Sequence, residues 1–572
     1  MFKYNNLSKE ELLQLVEKQE AELKTKKYGL VWDSEKEPEQ VVLDCENNIP
    51  ILQRVKEKEI KTDDSDDNIL IEGDNYHALT CLNYTHKGKI DVIYIDPPYN
   101  TGKAKEWVYN DKFVDENDGY RHSKWLNMMD KRLRLAKNLL SENGVIFINI
   151  DHNEFAQLKL VCDNIWGEKN FEYFIWKKKG GAGNTEKILG TLTEFIFCFF
   201  NQKKYGIFNY NSVERTYKHK DEISEYNLEG IEKTNLGQYE RKTMLFPIID
   251  PKTYKKYFPK EKMRWTLGED TVKRLIDENK IFFDEKNNKV YRIKRPNDYE
   301  NTENVFYNLL LDHGSLANAK DELKNIFENR EIFDTPKPII LIKHLLQIVS
   351  KRNSIILDFF AGSGTTGQAV LELNKEDNGN RKFILCTNNE LNGIGSDLIE
   401  KNPNEEPEKF GICQRVTYPR LEKVIKGYNK NGNGEFVEGL NGNLQYFKTD
   451  LIPVERIDTI RDHQRKELTE KAGQMIAIKE NNFEEVETNQ WYQIFENKDK
   501  SRKTAIYFRE NMDEFESLVK KIGKTKTVLY VFSYSRIDKK IFNYLGKNIV
   551  LEDIPEPILE IYKEINLTLK DK

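Results

Sequence analysis

The hydrophobic pattern changes character three times along the chain. Short, nearly continuous apolar runs of strand length appear as Ile69-Leu70-Ile71, Ile90 to Ile95, Val145 to Ile150 and Glu194 to Phe200, and again as Ser354 to Leu357 and Lys382 to Thr387. Stretches of helical period lie between them. Trp125 to Leu140 sets Leu126, Met129, Leu133, Ala136 and Leu140 on one face; Asn75 to Tyr84, Glu154 to Ile165 and a segment from Thr335-Pro336-Lys337-Pro338 to about Ile348 read as further helices. Fully apolar strands alternating with helices predict a parallel sheet covered on both faces.

From Lys203 to Glu300 the periodicity is broken by Gly230, Gly237, Pro247, Pro251, Pro259 and Gly268. Past Gly427 the chain loosens into Gly-Tyr-Asn-Lys-Asn-Gly-Asn-Gly, followed by a helix-like run from Arg456 to Ala472 and strand-like Thr504 to Phe508 and Thr527 to Phe532. Near the start, Ser8 to Glu11 reads as a capping box with Leu7 and Leu12 as its staple, opening a helix to about Thr25.

Composition adds little globally and something locally. The 572 residues are 38% hydrophobic with a net charge of -5, enough for sizeable cores and without a global nucleic-acid signature. Between Lys203 and Glu300, however, 22 Lys and Arg face 17 Asp and Glu, interleaved with fifteen aromatics. That texture suits phosphate and base contacts; a solvated, irregular insertion would read the same way. The six cysteines show no C-x-x-C pair, which argues against zinc and a disulfide framework. The longest strongly apolar run, Phe195 to Phe200, is too short to span a bilayer, and no signal-peptide pattern opens the chain. These features predict a cytoplasmic protein without a membrane segment.

The candidate chemistry lies at strand ends. The strand Ile90 to Ile95 runs into Asp96-Pro97-Pro98-Tyr99, an acid, a stiff turn and an aromatic ring at the edge where open α/β sheets bind ligands. Asp96 and the Pro97 carbonyl can accept hydrogen bonds from an exocyclic amine, and Tyr99 can stack on a flipped base. A half-buried turn would use the same residues. The strand ending at Asp358 leads into Phe359-Phe360-Ala361-Gly362-Ser363-Gly364-Thr365-Thr366, where small residues admit a ligand to the backbone and a helix start offers N–H groups to a carboxylate. It is neither a Walker loop nor a G-x-G-x-x-G fingerprint. Glu390, following the next strand, is placed to bind ribose hydroxyls.

Together, Leu70-Ile71-Glu72-Gly73-Asp74-Asn75, Tyr94 to Gly102 and Asp358 to Thr366 resemble the motifs of beta-class exocyclic-amine DNA methyltransferases, specifically the modification (Mod) subunit of type III restriction-modification systems. The resemblance covers about residues 30 to 430 and is weak over 205–328. It implies a Rossmann-like α/β sheet that binds S-adenosyl-L-methionine, with permuted motif order, an inserted target-recognition domain and a small α+β C-terminal domain. The expected divisions are a helical or extended segment (1–62), the catalytic half (63–204), the recognition insert (205–328), the cofactor half (329–428) and an assembly domain (429–572).

Carried over by position, the resemblance implies that Asp96 and Pro97 hold the target amine, with Pro98 and Tyr99 completing the motif and Tyr99 stacking the base. Asp358, Phe360, Ala361, Gly362 and Gly364 then form the methionine-side loop, with Glu390 (or its neighbour Asn389) on the ribose, Asp74 near the adenine ring, and Lys337 and Pro338 closing the pocket. Asp at the head of the tetrapeptide favours adenine N6 over cytosine N4, and methyl transfer from a sulfonium calls for no metal. The implied partners are double-stranded DNA, a second copy of the chain, and a separate helicase/nuclease restriction subunit. A solitary regulatory adenine methyltransferase and a silent DNA-recognition subunit are the alternatives. Replacing residues 205–328 by a relative's segment is expected to change the sequence methylated while leaving the transferred group and the cofactor unchanged, read by mapping methylated bases.

Overall fold

The computed structural model describes residues 39–63, 65–101, 121–181, 190–204, 206–209, 217–237, 240–299, 306–391, 393–430, 434–456, 460–534 and 536–570. The helix expected from Ser8 to Thr25 lies outside them. Two compact units are present, one formed by residues 1–209 and 307–572, the other by Tyr210–Phe306.

The larger unit is built on a ten-stranded sheet. In chain order its strands are β1 (Asn48–Arg54), β2 (Asp67–Glu72), β3 (Ile90–Ile95), β4 (Leu140–Ile150), β5 (Phe171–Lys177), β6 (Thr193–Phe200), β7 (Leu309–Leu310), β8 (Ile355–Asp358), β9 (Lys382–Thr387) and β10 (Asn443–Pro453). Their order across the sheet is β1-β10-β2-β9-β8-β3-β4-β6-β5-β7. The six strands from β10 to β4 are mutually parallel; β1 against β10 and β6 against both β4 and β5 are antiparallel. The parallel stretch coincides with the apolar runs of the sequence, as strands buried on both faces require. Proline ends β3, because Pro97 and Pro98 have no N–H to offer the ladder.

The covering helices are α1 (Asn75–Thr85), α2 (Arg121–Leu139), α3 (Phe155–Trp166), α4 (Leu316–Phe327), α5 (Ile339–Val349), α6 (Thr365–Asp377), α7 (Tyr418–Lys426), α8 (Gly473–Glu480) and α9 (Glu556–Lys570). Every residue of α1 is buried, because later parts of the chain wrap it: the hydroxyl of Tyr562 on α9 donates to the Pro50 carbonyl of β1 at 2.8 Å and lies 3.6 Å from Cys81 of α1. One hydrophobic core consequently runs from Cys45 to Ile565.

Two segments sit differently from their expected divisions. β10, within the expected C-terminal domain, lies between β1 and β2 in the main sheet, because Leu444, Tyr446 and Phe447 make it another buried strand. Residues 307–328, expected in the insert, supply β7 and α4 to the larger unit. A second sheet of five strands, β11 (Glu484–Thr488), β12 (Tyr492–Glu496), β13 (Arg502–Tyr507), β14 (Lys526–Phe532) and β15 (Ile549–Ile554), completes the C-terminal part. The smaller unit has a four-stranded antiparallel sheet and its own core around Ile231, Tyr257, Trp265 and Leu275.

A polar knot fastens α1 and α2 beneath the sheet's C-terminal edge. Arg132, wholly buried on α2, donates to Glu39 Oε2 at 2.8 Å and to Asn75 Oδ1 at 2.5 Å, with Asp74 Oδ1 3.6 Å away. Asn75 Nδ2 in turn donates to the Phe359 carbonyl at 3.0 Å. Replacing Arg132 by Met would strand the Glu39 and Asp74 carboxylates, so Arg132→Met is expected to cost about 3–5 kcal/mol, read as a lowered urea midpoint.

Candidate active site

Four neighbouring parallel strands in the middle of the sheet, β2, β9, β8 and β3, end at one edge. Their registers pair Thr387 with Glu72, Asp358 with Leu385, and Leu357 with Ile93. Each end delivers one candidate group: Asp74 after β2, Asn388 to Glu390 after β9, Asp358 to Gly364 after β8, and Asp96 to Tyr99 after β3. The three intervals span about 14–15 Å at the usual strand spacing. Elements far apart in sequence thus form one continuous row.

Asp96 stands at the end of that row with both oxygens engaged. Lys337 Nζ donates to Oδ2 at 2.5 Å and the Tyr99 hydroxyl to Oδ1 at 2.6 Å. A second carboxylate, Glu194 on β6, is almost fully buried beside them. Its Oε2 lies 3.1 Å from Tyr99 Oη and 3.8 Å from Lys337 Nζ, while Lys178 Nζ donates to its Oε1 at 2.9 Å. Burial pushes the Asp96 carboxyl above its ordinary value; Lys337 pulls it down and Glu194 pushes it further up. Burial alone would lower the Lys337 ammonium, but Asp96 and Glu194 outweigh it and hold Lys337 above the usual lysine value. Burial and the same two carboxylates keep Tyr99 a neutral phenol, so its hydroxyl remains a donor. The Tyr99 ring lies under Lys337 Nζ, 5.2 Å from ring centre to nitrogen.

The turn around this acid is fixed from behind. Trp125 Nε1 donates to the Pro98 carbonyl at 2.6 Å. Asn100 adopts a left-handed φ of 55° and its side-chain amide donates to Glu154 Oε1, which also lies 2.7 Å from His122 Nδ1. Burial raises the Glu154 pKa to about 8.

The glycine turn after β8 is closed by its own acid. Asp358 accepts from Phe360 N at 3.0 Å and from Thr366 Oγ1 at 2.5 Å, and burial pushes its pKa up to about 7, with Asp96 adding to the rise. Asp358 therefore faces the turn and shapes it. Gly362 and Gly364 have φ of 49° and 77°, a region costly for other residues, and Gly364 begins α6 with no capping side chain. Phe360 and Ala361 are buried beneath the turn. Thr417 Oγ1 donates to the Gly362 carbonyl at 2.6 Å, and buried Arg420 donates to Thr365 Oγ1 at 2.8 Å and Ser363 Oγ at 3.2 Å.

At the far end of the row, Asp74 caps α1 through Tyr76 N at 2.7 Å. Asn389 is committed to the local chain, donating to the Glu408 carbonyl at 2.6 Å and accepting from Gln414 N at 2.9 Å, whereas half-buried Glu390 has its carbonyl on Ile412 N at 3.0 Å. Pro338 caps α5 without a side-chain bond and lies against Gly314, where an added Cβ would come within 2.8 Å of it.

The sequence reading did not single out Glu194, Lys178, Asn75, Thr417 or Arg420. Asn75 stood within a motif stretch without a role, and Glu194 left a trace as a charged residue leading the apolar run Phe195 to Phe200. Among the described residues no helix is long and apolar enough to cross a membrane.

An acid–proline–proline–tyrosine turn one strand away from a glycine-rich turn defines an exocyclic-amine methylase site, and residues 90–404 match the family model described as DNA methylase. The chain belongs to that family of S-adenosylmethionine-dependent DNA methyltransferases. More narrowly, it is similar to Mod subunits of type III restriction-modification enzymes: it is 30% identical to the EcoPI Mod subunit of Escherichia phage P1 over 474 residues, 73% of this chain and 71% of that one. It is 30% identical to the EcoP15I Mod subunit of Escherichia coli over 458 residues, 69% and 70% of the two chains. It is also 30% identical to the type II methyltransferase M.KpnI of Klebsiella pneumoniae over 348 residues, 57% of this chain and 82% of that one.

The buried Asp358 generates a pH test. A carboxyl whose folded pKa is about 7 binds its proton more tightly folded than unfolded, where the value is about 3.9. Its contribution to stability is full below the unfolded value and is lost as pH rises towards 7. Asp358→Asn is expected to remove that component, so the difference in urea midpoint between pH 5 and pH 7.5 should shrink relative to the unaltered protein.

Proposed function

We propose that this chain is the modification and recognition subunit of a type III restriction-modification system, methylating the N6 amine of a flipped adenine in double-stranded DNA. The observation that carries the reading is the β8–β3 pairing, which brings Asp96 and the glycine turn to one sheet edge. Transfer requires the methyl carbon and the amine nitrogen at about 3–3.5 Å, and adjacent strand ends supply that proximity through the backbone itself.

The residues present suit the donor. Gly362 and Gly364 give the turn left-handed φ angles that suit glycine, the uncapped start of α6 offers N–H groups to a carboxylate, and Glu390 and Asp74 stand further along the row for the sugar and base. Phe360, Ala361 and Asp358 shape the loop from beneath. S-adenosyl-L-methionine, when bound, supplies a methyl group already activated by its sulfonium.

The chain's own task is to orient the amine and answer the positive charge that grows on N6. Asp96 accepts an N6–H, the Pro97 carbonyl accepts the other, and the charge of Asp96 faces the nitrogen as its lone pair is drawn to the methyl carbon. Flipping costs a few kcal/mol. Stacking on Tyr99 returns about 1–3 kcal/mol, on a ring steadied through its hydroxyl by Asp96 and through the Pro98–Trp125 bond.

The unit Tyr210–Phe306 is the target-recognition part of this reading. It exposes Tyr254 (80%) and Phe258 (56%) among lysines, a surface suited to base stacking and phosphate contact. Likeness to Mod subunits of restriction-modification enzymes supports a separate restriction subunit as partner, and this reading takes a second copy of the chain as a further one. A solitary adenine methyltransferase uses the same site; the intact Asp96 and glycine turn speak against a silent recognition subunit.

Asp96→Ala is expected to lower methylation to background while S-adenosylmethionine binding, measured by titration calorimetry, persists. Only ionised Asp96 offers a negative charge to the nitrogen that turns positive, so methyl transfer should fall as pH drops through its raised pKa, above the ordinary value of about 3.9. Lys337→Met removes the charge that holds this pKa down, and should move the acid limb of single-turnover rates to higher pH.

A further inference from the structure

Asp96 is expected to receive an amine, yet an amine-like donor already occupies it. Lys337 Nζ sits 2.5 Å from Oδ2, and Tyr99 holds the other oxygen at 2.6 Å. The target N6 group and the lysine ammonium seek the same oxygen with the same kind of N–H donor. They differ in charge, and that difference matters most during transfer, when N6 turns positive and a neighbouring ammonium opposes it.

We propose that Glu194 is a positioning residue for the target amine: its carboxylate receives the Lys337 ammonium when adenine N6 takes Lys337's place on Asp96. This rests on the adenine methyltransferase reading above. Glu194 Oε2 already lies 3.8 Å from Lys337 Nζ, and both side chains are about 5% exposed or less. Lys178 occupies the opposite oxygen at 2.9 Å, steadying the carboxylate while Oε2 faces Lys337. Pro336 and Pro338 flank Lys337 and restrict its backbone, so the exchange runs through its flexible four-carbon stem. Tyr99 Oη touches both acids, at 2.6 Å and 3.1 Å, and keeps them in register.

Asp96 and Glu194 are matched by Lys337 and Lys178, and moving Lys337 between the two acids preserves that balance. Without Glu194, a displaced Lys337 would be a buried cation with only the weaker pull of Asp151 beyond Asp96, so it would stay on Asp96 and compete with the substrate. Adenine would then lose the contact that distinguishes it from a purine lacking the amine.

The test uses the full chain with two duplexes, one carrying the mapped target adenine and one with unsubstituted purine in its place. Binding is measured with S-adenosylhomocysteine present, so that no turnover intervenes. Glu194→Gln keeps the size and leaves Tyr99 an acceptor. It is expected to weaken binding of the adenine duplex about tenfold and of the purine duplex less than about twofold, a coupling between Glu194 and the amine. The kcat should fall at least about tenfold with KM for S-adenosylmethionine unchanged, and Glu194→Asp should recover part of both effects. Equal weakening on both duplexes would mean that Glu194 only supports the fold, and unchanged binding on both would mean that Lys337 needs no second acid; either overturns the proposal. An unaltered protein that methylates no adenine overturns the enzymatic reading and this proposal together. Adenine methylation by the unaltered protein, with an unchanged adenine-to-purine ratio in Glu194→Gln, overturns this one alone.

Discussion

The backbone pairing of β3 with β8, Val92 opposite Ile356 and Ile93 opposite Leu357, is the constraint on which the site depends. Strands in register are held about 4.8 Å apart by their hydrogen bonds, and no loop could match that precision. The pairing brings the acid turn and the glycine turn together although the chain has travelled from Ile95 to Ile355 between them. The buried knot of Arg132, Asn75 and the Phe359 carbonyl then ties the start of α1 to the end of β8, so the ends of β2 and β8, with β9 between them, are fixed by side chains as well as by the sheet.

Electrostatics sharpens what the backbone roughly places. Asp96, part-buried, and Glu194, almost fully buried, are two acids close together, an arrangement that repulsion opposes. Lys337 and Lys178 offset it, leaving two acids and two bases in an interior where any one alone would be costly. Asp358 and Glu154 follow another course. Burial pushes each pKa up, to about 7 and about 8, with Glu154 beside the His122 ring, and each serves its turn as a hydrogen-bond partner. Asp96 thus sits against a lysine ammonium, whereas Asp358 and Glu154 hold their turns through hydrogen bonds.

The legible parts of the sequence were those where local pattern and local structure coincide. The apolar runs became β2, β3, β8 and β9 nearly residue for residue, because a strand buried on both faces has few other ways to be written. The motif turns were legible because proline and glycine restrict or free the backbone directly. Glu194 was obscure because its partners, Tyr99, Lys178 and Lys337, come from three other segments, and only the sheet order β3-β4-β6-β5 shows that they converge. Asp74 illustrates another limit: the sequence motif pointed to it, but that it also caps α1 through Tyr76 N is seen only in the structure. β10 escaped for a related reason. Its apolar residues follow a glycine-rich break that reads as a boundary, and the chain uses that break to return to the main sheet.

The sheet order also accounts for how so large an insertion is tolerated between the two halves of one site. Closing a loop costs only about 0.6 kcal/mol more for each doubling of its length, so the interval between β3 and β8 is nearly free to grow once their pairing is secured. The points of departure and return are held to the larger unit: Asn209 N donates to the Ile348 carbonyl at 2.6 Å, and Ile175 N to the Asn308 carbonyl at 2.7 Å. The chain is thus anchored on both sides of Tyr210–Phe306, and that unit completes a core of its own around Trp265. Substitutions within it can alter its surface without passing strain into the β3–β8 register. Separate cores, one running from Cys45 to Ile565 and one around Trp265, stabilise the two units.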